Sequence, residues 1–311
     1  MFTPLANSKN RTTEIDRLDN SVVASNTSTK VGGYKIDSNT YWNDKSEGTF
    51  VVSAFPNSSD LRYSNLSNGN RFKWMFLNFE GDSSGWFSPC IATENNIQIG
   101  GPDNYPPGVL DINGWNKGQM GVQCRFTVGG TADGLILINS GSTYDWDNPT
   151  PITIAFGVSD ASQLYNCSIN GETAAVVQYA RNSDPDWDGY QWVNSLSGNS
   201  SVTFGYSPGD FDEILMSGSY YEFNFYESPL NQEEMNTITG QPYGLPTNVL
   251  NKQPDIRYVL TQENKDAANE FSNLGTDGSY TQKLKPQFET AGQITSGSVF
   301  DSGIQDYRER L

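Results

Sequence analysis

The stretch from Ser201 to Gly240 decides the fold class, and it reads SVTFGYSPGDFDEILMSGSYYEFNFYESPLNQEEMNTITG. Strand patterns cover Ser201–Tyr206, Gly209–Met216 and the aromatic-rich Gly218–Tyr226, with glycines at the turns between them. Aromatic and β-branched residues in short runs bounded by glycine favour antiparallel strands. The stretch therefore predicts the closing strands of an all-β domain.

One short helix follows these strands. Asn231 is placed to cap its N-terminus, and Glu234, three residues later, completes a capping box. Leu230 and Met235 are spaced for a hydrophobic staple, and Gly240 ends the helix. We expect this helix to close one side of the strand assembly.

Upstream of this stretch the chain repeats the same kind of pattern. Asn170-Gly171 separates two strand patterns, and this dipeptide is the strongest two-residue hairpin signal because both positions tolerate positive φ. About ten strands with one helix predict a two-sheet antiparallel jelly-roll sandwich. The predicted strands before residue 180 are Gly33–Ile36, Thr49–Phe55, Arg71–Phe79, Asn95–Gly100, Gly121–Val128, Gly134–Ile138, Pro151–Val158, Gln163–Ile169 and Glu172–Tyr179.

Composition divides the chain into three parts. Residues 1–30 are polar and predict an N-terminal arm, and residues 31–244 form the sandwich domain. Residues 245–311 predict a C-terminal extension with a short helix over Thr261–Phe271 and a polar tail. So few apolar residues cannot form a separate core. We expect this extension to wrap the sandwich or a neighbouring subunit, and the alternative is a disordered extension.

The charge and residue counts exclude several functions. A net charge of −17 disfavours nucleic-acid binding, and the absence of histidine excludes a Ser-His-Asp triad and a His-ligated zinc site. Without a signal peptide pattern or an apolar run of membrane length, no membrane insertion is expected. Cys90, Cys124 and Cys167 predict buried free thiols.

Two segments pair tryptophan with carboxylates, a combination typical of sugar sites. Aromatic rings stack on sugar rings while Asp accepts hydrogen bonds from hydroxyls. A protein interface or simple packing would use the same residues. The candidate ligand-binding residues are Tyr144, Asp145, Trp146 and Asp147 in the first segment, and Asp186, Trp187, Asp188, Tyr190 and Trp192 in the second.

The second segment also contains a pattern of alternating carboxylates. Asp184, Asp186 and Asp188 precede Gly189 in a D-x-D-x-D-G run that could hold Ca²⁺. The twelfth position is Ser195 instead of the required Glu, so an EF-hand is not predicted. The alternatives are a looser calcium site and a solvated acidic loop, and no other cofactor is expected.

Catalytic residues are not evident. Asp210, Asp212 and Glu213 are the candidates closest to a glycosidase pair, but Asp212 and Glu213 are adjacent and would point to opposite faces of a strand. We therefore predict that the chain is not an enzyme and keep a polysaccharide hydrolase as a weaker alternative.

The last half of the predicted sandwich resembles the laminin-G-like, concanavalin A-like family. The resemblance covers about 90 residues and implies the fold, in which Asp210, Asp212 and Glu213 are structural, and loop carboxylates often bind calcium. The matching positions are Leu164, Tyr165, Asn170, Gly171, Asp210, Phe211, Asp212, Glu213, Phe225, Tyr226, Leu230, Glu233 and Glu234.

The polar ends and the Gly/Asn/Ser/aromatic-rich sandwich resemble bacteriophage surface and tail proteins. This resemblance implies a virion structural protein, such as a capsid decoration, head-fibre or tail-associated subunit. Its arms would dock on other virion proteins, either in a homo-oligomer or on capsid or tail subunits. The alternative is a carbohydrate-binding adhesion module that recognises a host-surface glycan.

Overall fold

A computed structural model describes about half of the chain. The described residues are 31–56, 77–81, 86–93, 119–127, 133–143, 152–159, 164–181, 192–196, 198, 200–204, 218–240, 250–260, 264, 266–268 and 270–289. The predicted arm over residues 1–30 lies outside this part, as do the predicted strands Asn95–Gly100 and Gly209–Met216 and most of Arg71–Phe79.

Thirteen strands and one α-helix occur in the described part of the chain. In chain order the strands are β1 (Val31–Asn39), β2 (Gly48–Pro56), β3 (Asn78–Gly81), β4 (Trp86–Thr93), β5 (Gln119–Thr127), β6 (Asp133–Thr143), β7 (Ile152–Ser159), β8 (Leu164–Ile169), β9 (Glu172–Arg181), β10 (Ser200–Phe204), β11 (Gly218–Tyr226), β12 (Ile256–Val259) and β13 (Leu284–Glu289). The helix α1 spans Gln232–Thr239.

The strands form two antiparallel sheets. Sheet A has the order β9-β6-β5-β4-β3-β10-β1-β13, and sheet B has the order β12-β11-β2-β7-β8-β9. Strand β9 belongs to both, because residues 172–174 pair with β8 and residues 175–181 pair with β6. The two sheets confirm the predicted all-β antiparallel sandwich.

The hairpin between β8 and β9 forms at the predicted dipeptide. Asn170 has φ 50° and Gly171 has φ 88°, which are the positive values that a tight hairpin turn requires. Asn170 also accepts a hydrogen bond from the Thr153 backbone N–H at 2.8 Å, which ties the turn to β7. The turn prediction is confirmed.

The main core lies between the sheets and is rich in aromatic rings. Phe50 of β2 lies 4.9 Å from Phe79 of β3, and Phe204 of β10 lies 4.9 Å from Phe223 of β11, measured between ring centroids. Trp42, in a 3-10 turn over Tyr41–Asp44, is fully buried beside Phe79. Such aromatic pairs each add about 0.5–1.5 kcal/mol beyond the area that they bury.

The helix α1 begins and ends as predicted. The Asn231 side chain accepts from the Glu234 backbone N–H at 2.9 Å, and the Glu234 carboxylate accepts from the Asn231 N–H at 2.8 Å. Leu230 and Met235 are buried in one cluster, and Gly240 is the C-cap. The capping box therefore sets the start of the helix as its spacing implies.

The outer face of sheet B carries α1. Val51, Ala155 and Tyr226 of the sheet cluster with Met235 and Leu230. Strand β7 is thus covered on both faces, and its residues 152–158 are all buried.

Gly157 of β7 leaves no room for a side chain, because a Cβ there would lie 2.7 Å from the Gly48 carbonyl oxygen of β2. A Cβ at this position would lie 2.5 Å from Thr49 Oγ1 and 3.0 Å from the Met235 methyl carbon.

The C-terminal extension joins the sandwich. Residues 250–289, which we call the strap, place β12 beside β11 at the edge of sheet B and β13 beside β1 at the edge of sheet A. Of the alternatives for this extension, the strap follows the first and wraps its own sandwich. The sheets therefore continue past the boundary predicted at residue 244.

The helix predicted over Thr261–Phe271 is wrong for the described residues of that range, which form turns and a bridge. Asp266 Oδ1 accepts hydrogen bonds from the backbone N–H groups of Ala268 at 2.8 Å and Glu270 at 3.0 Å. Such side-chain-to-backbone bonds compete with the helical pattern.

The strap covers both sheet edges. At β12, the Leu274 N–H donates to the Arg257 carbonyl at 2.8 Å, and the Arg257 N–H donates to Asn273 Oδ1 at 2.8 Å. At β13, Leu284 and Phe271 exchange two backbone hydrogen bonds of 2.9 Å on the side away from β1. Backbone groups of successive strand residues point alternately to the two sides of the strand. The nitrogen of Pro286, two residues after Leu284, therefore also faces away from β1, and it carries no hydrogen to donate.

Candidate functional site

The two Trp/Asp segments lie outside the described residues, apart from Trp192. The segment Tyr144–Asp147 follows β6, and the segment Asp184–Tyr190 follows β9. Strands β6 and β9 are antiparallel neighbours, with Gly134 opposite Arg181. The C-terminal ends of β6 and β9, which lead into the two segments, therefore lie at opposite ends of sheet A along the strand direction. The described strands do not join the two segments in one site.

Trp192 is a core residue. It is 0% exposed, and its ring lies 5.0 Å from Phe50 and 5.7 Å from Phe156. A ring packed between other core rings presents no face to a sugar, so the prediction of Trp192 as a ligand contact is wrong. A large aromatic side chain fills core volume when it can reach the space between the sheets.

A charged cluster forms where the turn before β2 meets the end of β11. The Glu227 carboxylate accepts from the Tyr41 hydroxyl at 2.6 Å and from the Lys45 ammonium at 2.7 Å. Lys45 also lies 4.4 Å from the centroid of the Tyr41 ring. Tyr41 and Glu227 are separated by 186 positions, so no local sequence signal could have found this cluster.

The cluster holds its protons tightly. Burial, followed by the hydrogen bond to Glu227, raises the pKa of Tyr41. Burial alone would lower the pKa of Lys45, but the hydrogen bond and the charge of Glu227 raise it above its usual value. Both groups are therefore protonated at neutral pH, which suits an anchor for the turn and not a general base.

A strip of polar side chains lies on the outer face of sheet B beside α1. Glu222 is only 4% exposed and pairs with Arg257 Nε at 2.7 Å, and the Ser53 and Thr153 hydroxyls lie 2.7 Å apart. Asn224 is 1% exposed, and neither its Oδ1 nor its Nδ2 has a hydrogen-bond partner among the described residues. An unsatisfied buried amide costs about 1–3 kcal/mol. The sequence signal for this strip was Glu222, a charged residue inside the aromatic run Gly218–Tyr226.

Several other carboxylates of the described part form ion pairs with lysine side chains. Asp37 pairs with Lys285 at 2.5 Å, Glu234 with Lys252 at 3.0 Å, and Asp266 with Lys283 at 2.6 Å. Within the described ranges, no three His, Cys, Asp or Glu side chains are grouped as a metal site needs. The calcium candidates Asp184, Asp186 and Asp188 and the catalytic candidates Asp210, Asp212 and Glu213 lie outside those ranges.

Two further features of the described part concern the cysteines and membrane contact. Cys167 is a buried free thiol as predicted, and burial raises its pKa. The helices in the described ranges are too short or too polar to cross a membrane.

No protein-family model matches the chain, and no curated protein matches it at a significant level. Among solved structures, the chain is similar to a native heptameric SAP-like pentraxin from Limulus polyphemus, with 9% identity, a TM-score of 0.40, and coverage of 89% of this chain and 94% of that one. It is also similar to the CBM40 of the Ruminococcus gnavus IT-sialidase bound to α2,3-sialyllactose, with 14% identity, a TM-score of 0.34, and coverage of 68% and 94%. A third structure, the NanB sialidase of Streptococcus pneumoniae, has 13% identity and a TM-score of 0.40, and 84% of this chain covers 38% of it.

The strand pairing and the buried core establish the β-sandwich. The finer resemblance to laminin-G-like modules and to bacteriophage virion proteins stays a prediction, as does the location in a virion.

Proposed function

We propose that the protein is a non-catalytic carbohydrate-binding module whose ligand contacts lie in the connections between strands. The observation that supports this placement is that the chain covers its own sheet edges with the strap and part of the outer face of sheet B with α1. Binding residues on loops held by a rigid scaffold are the usual arrangement in such a fold. The connections after β6 and β9 therefore become the favoured ligand-contacting parts.

These two connections carry the residue types that a sugar site needs. The first contains Tyr144, Asp145, Trp146 and Asp147, and the second contains Asp186, Trp187, Asp188 and Tyr190. The rings would stack on the apolar faces of a sugar, and the carboxylates would accept hydrogen bonds from its hydroxyls. Trp192 is left out of the set because it belongs to the core.

The non-catalytic part of the proposal is supported by the state of three described glutamates. Glu222 is paired with Arg257, Glu227 holds Tyr41 and Lys45, and Glu234 caps α1. A glycoside hydrolase needs two carboxylates that are free to exchange protons or attack the sugar. None of these three is free in that sense.

A glycan array with the full-length chain tests the proposal. Trp146→Ala and Trp187→Ala are compared separately, because the strand ends before them lie at opposite ends of sheet A. We expect one of them to weaken binding of the best glycan by about 30-fold or more, since losing an aromatic hot spot costs about 2 kcal/mol or more. The matched control is Leu274→Ala, which removes a half-exposed apolar side chain from the strap and should leave binding unchanged.

Failure to bind any glycan, or full binding by both Trp variants, would overturn the proposal. If the chain releases reducing sugar and Asp212→Asn abolishes this release, the hydrolase alternative is supported instead.

The calcium prediction is tested by repeating the array with EDTA and with Asp186→Asn. Binding that is lost in both and restored by Ca²⁺ only in the wild type would place the ion in the second segment.

A further inference from the structure

The strap fills the part of the core that lies between the edges of the two sheets. Phe271, Tyr280 and Leu284 are at most 5% exposed and belong to the main core cluster. The Phe271 ring lies 5.7 Å from Tyr34, and the Tyr280 ring lies 4.4 Å from Tyr41. The strap is therefore held by inserted side chains as well as by strand pairing.

Strands β1 and β11 offer their backbone edges to the strap. Strand β1 pairs with β13 from Val31–Glu289 to Ile36–Leu284, and β11 pairs with β12 from Glu222–Val259 to Phe225–Ile256. An edge with unpaired N–H and C=O groups is a template for another strand. The surface between β1 and β11 is thus a strand-accepting site that the strap occupies.

Contacts of the strap with itself block parts of its own outer edges. At β13, the start of the outer edge is blocked by the Phe271–Leu284 hydrogen bonds and by Pro286. At β12, the outer edge is covered by Asn273 and Leu274. A further chain is disfavoured from adding a strand to this surface.

We propose that the surface between β1 and β11 accepts the strap of a second copy of this chain in exchange for its own. Every contact of the strap with the sandwich is non-covalent, so the same contacts form when the strap comes from a partner. The exchange is reciprocal, so it produces a closed two-fold dimer and not a fibre. It is independent of carbohydrate binding.

Cysteine pairs across the β1–β13 register test the exchange. Gly33 and Gln287 are directly opposite, and such pairs are close enough for a disulfide. A full-length chain with Gly33→Cys and Gln287→Cys together should form an internal bridge. For the exchange itself, a Gly33→Cys chain is mixed with a Gln287→Cys chain, warmed close to the unfolding midpoint at high protein concentration, cooled and oxidised.

We expect the mixture to give a disulfide-linked dimer on a non-reducing gel, several-fold more than a mixture of Gly33→Cys with Leu274→Cys. Leu274 is an exposed position of the strap whose backbone bonds to Arg257 of β12, so it reports random collisions. Equal dimer in both mixtures, or none in the first, would overturn the exchange. Failure of the double variant to form its internal bridge would overturn the register on which the exchange rests.

Discussion

The region around α1 and the strap are both needed to complete the sandwich, but different kinds of contact specify them. Around α1, the capping residues Asn231 and Glu234 are three positions apart, and Asn170 and Gly171 are neighbours. In the strap, Lys285 pairs with Asp37 across 248 positions. The first region is specified by local backbone chemistry, and the second by surfaces that exist only once the sandwich has formed.

The two regions also differ in how they are attached. The end of α1 is joined to the β8–β9 hairpin by polar contacts, since Thr239 Oγ1 accepts from the Gly171 N–H at 2.9 Å and lies 2.8 Å from the Ser168 hydroxyl. The strap is attached through buried rings and backbone pairing. We therefore expect changes in the strap to cost more stability than changes in the helix cap.

The largest expected effect comes from removing an anchor of the strap. Phe271→Ala empties core volume beside Tyr34, and should lower the free energy of unfolding by about 3–5 kcal/mol. Leu274→Ala, three residues later and 50% exposed, should change it by less than about 0.5 kcal/mol. Chemical denaturation of both variants checks the difference, and similar midpoints would mean that the strap is not part of the core.

A smaller effect is expected from a close backbone contact within the strap, between Gly275 and the residue before β12. A Cβ at Gly275 would overlap the Asp255 carbonyl group, whereas at Gly278 it would meet nothing within 4 Å. Gly275→Ala should therefore destabilise by about 1–3 kcal/mol through forced backbone movement, and Gly278→Ala should not destabilise. Thermal unfolding of the pair measures this, and equal midpoints would contradict the close approach.

On the other side of the comparison, Asn231→Ala removes the cap of α1. The expected loss is about 1 kcal/mol, less than for the strap anchor, because the buried face of Met235 and Ile238 remains in place. Asn231→Asp is the control, since Asp caps as well as Asn does. Loss of stability in the Asp variant as well would show that the amide has another role.

The smallest effect concerns the ion pair of Asp266 in the strap. The hydrogen bond from Lys283, followed by backbone N–H groups, lowers the pKa of Asp266. The folded-state pKa of Asp266 therefore lies below its unfolded value of about 3.9. The ion pair stabilises the folded protein fully above the unfolded pKa, and this stabilisation is lost as the pH falls through the folded-state pKa. The midpoint difference between wild type and Asp266→Asn should therefore be small at pH 7, shrink at high salt and vanish in acid. A difference that persists in acid would assign it to something other than this charge.

Much of the fold could be predicted because its signals are short in range. Period-two patterns predicted β5 and β7, and a β-branched and aromatic run predicted β2. The Asn170-Gly171 pair predicted the hairpin, and the capping box predicted α1. Strand β4 was missed because the start of its sequence falls in the Gly/Ser-rich run 80–88, which resembles a turn. The strap was set apart as an extension because its apolar residues are too sparse to suggest strands.

The candidate site was less predictable for a related reason. Composition identified the Trp/Asp segments but could not distinguish Trp192, which packs on Phe50, from tryptophans available to a ligand. It also could not pair Glu227 with Tyr41 or Glu222 with Arg257. Burial and ion pairing depend on which distant strands become neighbours, and residue type alone does not contain that information.

By itself, the sequence determined the local elements of this protein: alternating strands, one capped helix and one tight hairpin, and hence an all-β class. Only the tertiary structure decided that residues 250–289 belong to both sheets, that Trp192 is core, and that the chain covers its own edges. The physical reason is that capping and turn formation act within a few residues, whereas edge pairing and core filling require surfaces that the whole sandwich creates.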